Sequence, residues 1–225
     1  MDKPLKLSPR LLAAASQVRP GATAADVGTD HGYLACYLAL QTGCPKVYAS
    51  DLNPKPLEQA VRTIAENGLE GRVLPILSDG VKELPLSEID DVIVAGMGGD
   101  LILSILSDPR LFDPEKRLIL QPMSKAEVLR RGLYRMGFEL IRETAVRDGR
   151  FVYTVLAVRY TGISREVDEF FALTGLLSGK TPDERAYLSR VLEKVKKKTS
   201  GLSRAGNEVP EKLKQLVERL EEKLS

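Results

Sequence analysis

Between residues 23 and 160, short apolar runs alternate with stretches whose apolar residues recur every three to four positions. The runs predict strands at 23–27, 46–50, 72–77, 91–95, 117–120, 138–146 and 151–160. The stretches between the first six predict helices at 33–40, 54–67, 101–107 and 125–136. The helix at 54–67 is the clearest, because Leu57, Ala60, Val61, Ile64 and Ala65 share one face and Gly68 stops it. Ser8-Pro9 opens an earlier helix, with Ser8 as the expected N-cap, and Pro20-Gly21 ends it. Asp148-Gly149 is a hairpin signal joining the last two strands.

Strand–helix alternation implies a mostly parallel sheet covered on both faces, an α/β doubly wound architecture. After Tyr160 the strand signal ends. Leu188, Val191, Leu192 and Val195 form one helical stripe, and Leu213, Leu216, Val217, Leu220 and Leu224 form another. Gly201 and Gly206-Asn207 lie between them. The simplest reading is an antiparallel helical hairpin packed as a short coiled coil. Val167, Phe170, Phe171 and Leu173 are expected to dock it on the sheet. The division expected is therefore 1–160 for the sheet domain and 161–225 for the hairpin.

The chain has 225 residues with 33 basic and 31 acidic side chains, so any nucleic-acid footprint must be local. Lys194, Lys196, Lys197 and Lys198 form such a cluster, with Arg185, Arg190 and Arg204 nearby; a solvated helix face is the plain alternative. Cys36 and Cys44 read as buried, reduced thiols, and one histidine cannot build a metal site from these residues. No segment suits a signal peptide or a membrane span, so a cytoplasmic protein is expected.

Four strand ends carry candidate chemistry. Asp26, Gly28, Thr29, Asp30, His31 and Gly32 form a turn between the first strand and its helix. Glycine there lets a ligand approach the backbone, yet neither GxGxxG nor GxxxxGK[ST] is present. That absence argues against a nicotinamide-dependent oxidoreductase. The two aspartates would repel a pyrophosphate and suit a ligand with a cationic amino-acid end. Asp51, with Leu52 and Asn53, ends the second strand where a carboxylate can hold two ribose hydroxyls. Asp79-Gly80 follows the third strand, where it can meet an adenine amino group or be a plain turn. Ala95, Gly96, Met97, Gly98 and Gly99 follow the fourth, at the place where ligands enter doubly wound sheets.

Taken in order, LSPRL, ADVGTDHGYL, SDLN, SDG, VIVAGMGG, LILQP and DGRFVYTV resemble the bacterial tRNA (adenine-22-N1)-methyltransferase family, from about Leu7 to Val158. Gly32 departs from the alanine usual in that family. The resemblance implies a Rossmann-like class I methyltransferase with a doubly wound, mostly parallel seven-stranded sheet and a C-terminal coiled-coil hairpin. It implies S-adenosylmethionine as cofactor, no metal, and tRNA as partner of a monomer or weak dimer. Asp26, Gly28 through Gly32, Asp51 through Asn53, Asp79, Gly80 and Ala95 through Gly98 are then expected to hold the donor. Asp30 and His31 face the reaction, while Arg10, Gly99 and the four lysines contact tRNA. Two rival expectations share the fold: a methyltransferase acting on another RNA or a small molecule, and a non-catalytic RNA-binding module.

Overall fold

Strands and helices alternate as the hydrophobic pattern requires. The structure, a computed structural model, describes residues 5–205 and 207–225; Gly206, expected in the last turn, lies outside the described residues. The order is α1 (Pro9–Ala15), β1 (Ala24–Val27), α2 (Tyr33–Gln41), β2 (Val47–Asp51), α3 (Pro54–Glu66), β3 (Val73–Leu77), β4 (Asp91–Gly98), α4 (Gly99–Leu106), β5 (Arg117–Ser124), α5 (Ala126–Arg135), β6 (Phe138–Asp148), β7 (Phe151–Tyr160), α6 (Glu169–Thr174), α7 (Pro182–Arg204) and α8 (Glu211–Leu224). One seven-stranded sheet runs β3-β2-β1-β4-β5-β7-β6. Strands β1 to β5 pair in parallel, and β7 enters antiparallel between β5 and β6, so that six strands run one way and β7 the other.

Both faces of the sheet are buried, which is why its strands read as continuous apolar runs. Val92, Val94, Leu118 and Leu120 point into one core, with Ile102 of α4 and Leu129 and Leu133 of α5. The intervening Ile93 and Ile119 point into the other, with Ala14 of α1, Leu38 of α2 and Ile64 of α3. No helix among the described residues is long and apolar enough to cross a membrane.

Three local expectations are corrected. Ser8 holds the N-cap position in extended backbone, but its hydroxyl makes no capping bond and is buried without a partner. Pro9, whose ring presets a helical φ, starts the helix instead. That helix also ends at Ala15 rather than running to the Pro20-Gly21 break. Strand β4 does not stop at Ala95: it continues to Gly98 through a register shift, in which Met97 pairs with Pro122 and Gly98 with Ser124. Gly96, at φ +80°, is the residue that permits this bulge.

The hairpin is antiparallel, since Arg185 near the start of α7 donates to the carbonyl of Leu224 at the end of α8 (2.7 Å). Val195, Leu216 and Leu220 form its core, together with Leu173 of α6. As expected, the segment before α7 does the docking. Val167 and Phe171 pack into the sheet core while Phe170 and Leu173 pack against the hairpin.

The docking centres on a buried ion pair that the sequence did not suggest. Arg130 of α5 and Glu143 of β6 meet at 2.6 Å with both side chains sealed from solvent. Arg130 also donates to the carbonyls of Ala172 (2.7 Å) and Leu173 (3.2 Å) and to the hydroxyl of Tyr187 on α7 (3.2 Å). Glu143 accepts from the Thr154 hydroxyl and the Leu176 amide. Burial works against the guanidinium's charge, but Glu143 and Tyr187 more than offset it and hold the group charged. A Cβ at Gly175 would collide with the Glu143 carboxylate, so the chain closes over the pair only with glycine there.

Removing one partner leaves a buried charge alone. Arg130→Met is expected to cost about 3–5 kcal/mol in urea unfolding. Arg130→Met combined with Glu143→Leu should lose less than the single variant. A double variant as unstable as the sum of the two singles would show that the pair acts only through its separate packing.

Candidate active site

The strand order reverses direction between β1 and β4, and a crevice of about 360 Å³ opens there at the carboxyl ends of the strands. Asp26, Gly28, Asp30, His31 and Asp51 line one side, and Ala95, Gly96 and Met97 the other. Arg10, Leu11, Tyr33 and Leu34 complete it. Residues of three strand-end motifs, from Asp26 to Met97, are thereby brought together.

The β1 turn is shaped by two glycines. Gly28 sits at φ +81°, and it and Thr29 both donate to the carbonyl of Ser50 at 2.8 Å, which fixes the turn against β2. Met97 reaches across so closely that any side chain at 28 would strike it. Gly32, at φ +73°, is the N-cap of α2, and a Cβ there would lie 3.0 Å from that of Ala60. Alanine at 32 would need both a strained φ and a shift of α3, which accounts for glycine at this position. His31 is also in the left-handed region, at φ +64°. Its Nε2 lies 3.2 Å from Oδ1 of Asp30, and both side chains are open to solvent at the mouth of the crevice.

Asp26 is different. It is buried, accepts from the Thr29 hydroxyl at 2.7 Å, and still lines the crevice. Burial pushes its carboxyl up to about 6, with the nearby Asp51 adding to the rise and the Thr29 hydroxyl and Ala35 amide opposing it. Asp51 ends β2 half-buried, and its Oδ1 accepts the Asn53 amide (2.8 Å). Asn53 holds the N-cap position of α3 without a side-chain capping bond, and Leu52 is largely exposed beside it.

Not every expected residue joins this crevice. Asp79 and Gly80 line a separate one of about 290 Å³ with Leu101 and Ile105 of α4, and Asp79 is ion-paired to Lys82. The Ser78 amide donates to the carbonyl of Asp51 (2.9 Å), which ties the segment before Asp79 to the end of β2. Gly98 becomes the N-cap of α4. Gly99 is a correction: it is buried, and a Cβ on it would stand 2.5 Å from the Lys125 carbonyl oxygen, so it serves close packing and offers no surface to a substrate. Of the four lysines, Lys194 is paired to Glu127 (2.9 Å) and Lys196 to Glu221 (2.5 Å). Lys197 and Lys198 are exposed and make no ion pair among the described residues.

Sequence reasoning missed Gln121. It is fully buried in the middle of β5, and its Oε1 accepts both from Arg10 Nη1 and from the amide of Gly96, each at 3.1 Å. Arg10 is held from its other side by Asp148 of β6 (3.3 Å). Gln121 thus ties α1 to the β4 bulge and fixes Arg10 at the crevice wall. The signal was a lone glutamine after the apolar run Leu118–Ile119–Leu120. Tyr33, 43% exposed in the crevice with its ring 5.7 Å from that of His31, was also passed over, as an ordinary first residue of a helix.

The fold and this strand-end site define a methyltransferase-type domain, and residues 7–156 match the family described as a methyltransferase domain. The tRNA (adenine(22)-N(1))-methyltransferase of Bacillus subtilis is 33% identical over 176 residues, spanning 78% of this chain and 74% of that protein. The chain belongs to the family of that enzyme. The crystal structure of the B. subtilis m1A22 tRNA methyltransferase TrmK superposes with a TM-score of 0.79 at 29% identity, covering 98% of this chain and 96% of the other. A structure of Streptococcus pneumoniae Sp1610 in complex with S-adenosyl-L-methionine gives 0.80 at 25% identity, covering 96% and 98%.

The raised Asp26 carboxyl carries a stability consequence. Between pH 3.8 and about 6 the folded protein keeps a proton that the unfolded chain has released, so stability falls as pH rises through that window and stays low above it. Asp26→Asn cannot ionise. The ligand-free variant is expected to be more stable than the parent at pH 7.5, by up to about 3 kcal/mol, with the gain vanishing below pH 4. Thermal melts of both proteins from pH 4 to 8 measure this; parallel curves would mean Asp26 is already charged in the fold.

Proposed function

We propose that this chain is an S-adenosylmethionine-dependent methyltransferase that methylates N1 of adenine 22 in tRNA. The observation that carries the reading is the β1/β4 crevice, which joins a buried carboxylate to bare glycine backbone in a chain of this family. Its donor set fits the cofactor. Asp26 is a desolvated carboxyl in need of a cation, such as an amino-acid ammonium group. Asp51 offers a half-buried carboxylate to ribose hydroxyls, and Gly28 and Gly96 leave room for a ligand against the backbone.

When bound, S-adenosylmethionine supplies a sulfonium-activated methyl group, which the N1 lone pair of adenine attacks while the sulfur departs with the bonding electron pair. N1 is unprotonated near neutral pH, so the chain need not remove a proton to create the nucleophile. Its residues have two tasks, alignment and charge. Asp30 at the crevice mouth holds the exocyclic amino group of the base and favours the cationic product, with His31 beside it. Ala95 and Met97 line the donor pocket, Thr29, Gly32, Leu52, Asn53 and Gly98 belong to the strand-end segments that frame it, and Asp79 and Gly80 take the donor's adenine in the second crevice. Arg10, aimed by Gln121 and Asp148, meets the RNA next to the reacting base.

Residues 1–160 carry this chemistry and residues 161–225 the broader RNA grip, in a cytoplasmic monomer or weak dimer. The separation is not clean, because Arg130 and Glu143 in the first part take four of their partners, Ala172, Leu173, Leu176 and Tyr187, from the second. Charge reversal therefore tests the hairpin better than truncation does. Lys197→Glu with Lys198→Glu should weaken tRNA binding, flatten its salt dependence and leave donor affinity unchanged.

The decisive experiment incubates unmodified tRNA transcripts with labelled donor and maps the methylated nucleotide. The reading expects label on N1 of A22; label on another nucleotide or on no tRNA rejects it. Asp51→Ala should weaken donor binding by about 10–100-fold, the loss of a charged acceptor. Asp30→Asn should slow single-turnover methyl transfer at saturating donor and tRNA, and an unchanged rate would remove Asp30 from the reaction.

A further inference from the structure

A second cleft, of about 310 Å³, lies outside the donor crevice, between the sheet domain and the hairpin. Its walls are Pro122 to Ser124 at the end of β5, Lys125 and Glu127 at the start of α5, Tyr153 on β7, and Tyr187, Arg190 and Lys194 on α7. We infer that this cleft is a second nucleotide site, which takes the base and phosphate adjacent to the target adenine. The inference rests on the tRNA reading above and extends it to a defined place.

The chemistry of the lining points to an unstacked nucleotide. Two tyrosines line the cleft, and Phe151 stands beside it, 39% exposed, with its ring 6.1 Å from that of Tyr153. Arg150 and Arg190 lie over the Phe151 ring, at 4.9 and 5.6 Å from its centre. Neither arginine is ion-paired among the described residues, whereas Lys194 is neutralised by Glu127. Exposed aromatic faces beside uncompensated guanidinium groups are what a splayed base and its phosphate require. A peptide without acidic groups would leave those charges unanswered.

Position relative to the donor crevice makes the occupant a neighbour of the target. Met97 lines the donor crevice and pairs across the sheet with Pro122, which lines the cleft; Gly98 pairs likewise with Ser124. The walls of the two openings are thus joined through paired residues of β4 and β5. An adenine drawn out of its stack to reach the donor brings its neighbour along the same backbone.

The walls are also held in place before any ligand arrives. The Tyr187 hydroxyl accepts from Arg130 of the buried pair. Lys125 is, with His31, one of the two non-glycine residues at positive φ among the described residues, and its carbonyl is packed on Gly99. The cleft therefore contains one residue in a rarely used backbone conformation, held by the close approach of Gly99.

The test uses full-length protein and a tRNA carrying 2-aminopurine on one side or the other of A22. In the parent enzyme, fluorescence at one flanking position should be quenched on binding, as the base stacks on an aromatic face. Phe151→Leu, which keeps the charge and an apolar side chain, should lose most of that quench and raise KM for tRNA about tenfold, within the range for one stacked base. Arg190→Glu should do the same and Arg190→Lys should be milder, with donor affinity equal in all. If the parent methylates A22 but neither flanking position is quenched, or if Phe151→Leu and Arg190→Glu behave as the parent, the cleft is no nucleotide site while the functional reading stands. A parent that binds donor but methylates no tRNA overturns the functional reading and this inference together.

Discussion

The Arg130–Glu143 pair is the interaction on which the relation between the two parts of the molecule depends. Two sealed side chains gather groups from α5, β6, β7, the α6 segment and α7, so that five elements meet at one desolvated charge pair. Such a pair adds little net stability over an apolar substitute, since desolvation offsets most of the attraction. Its effect here is geometric. Arg130 needs acceptors in fixed directions, and these are supplied only when Ala172, Leu173 and Tyr187 are docked. The hairpin is therefore held at a set angle to the sheet, not left on a tether.

That constraint passes to function through Tyr187 and Leu173, which both line the cleft beside the donor crevice. A tRNA is large and a methyl donor is small, so the surface that grips one must be rigidly referred to the pocket that holds the other. The β4 bulge supplies the other half of that reference. Gly96 sets the bulge, Gln121 binds its amide, and the same glutamine oxygen aims Arg10. Helix α1 and the β4 bulge are thereby tied at one buried oxygen atom.

Within the crevice, the fold accepts local cost. Asp26 sits where its charge is disfavoured, and His31 holds a backbone conformation rarely used by non-glycine residues. Each is unfavourable in an empty fold and understandable in a site shaped around a cationic ligand. The pH-dependent penalty at Asp26 would be relieved by an ammonium group, which makes the same residue a destabilising element without ligand and an attractive one with it.

The sequence by itself determined the elements and the strand-end motifs. Short apolar runs, period-3.6 patterns, Gly68, Pro9 and Asp148-Gly149 marked nearly every boundary within a few residues, because those signals act locally through backbone sterics. Asp26, Gly28, Asp51 and Gly96 were legible because a parallel sheet always delivers strand ends to one edge. What only the tertiary structure decided involves partners distant in sequence. Glu143 faces inward because a bulge between Leu140 and Arg142 changes the strand's parity, and nothing local in β6 announces it. Gly99 looked like a ligand-facing glycine, yet it is reserved for the carbonyl of Lys125, a residue 26 positions away that only folding brings near. Gln121 looked like the end of an apolar run, and becomes a hub only once α1 and β4 arrive beside it. The lysine cluster was equally ambiguous until Glu127 and Glu221, from other elements, separated its paired members from its unpaired ones.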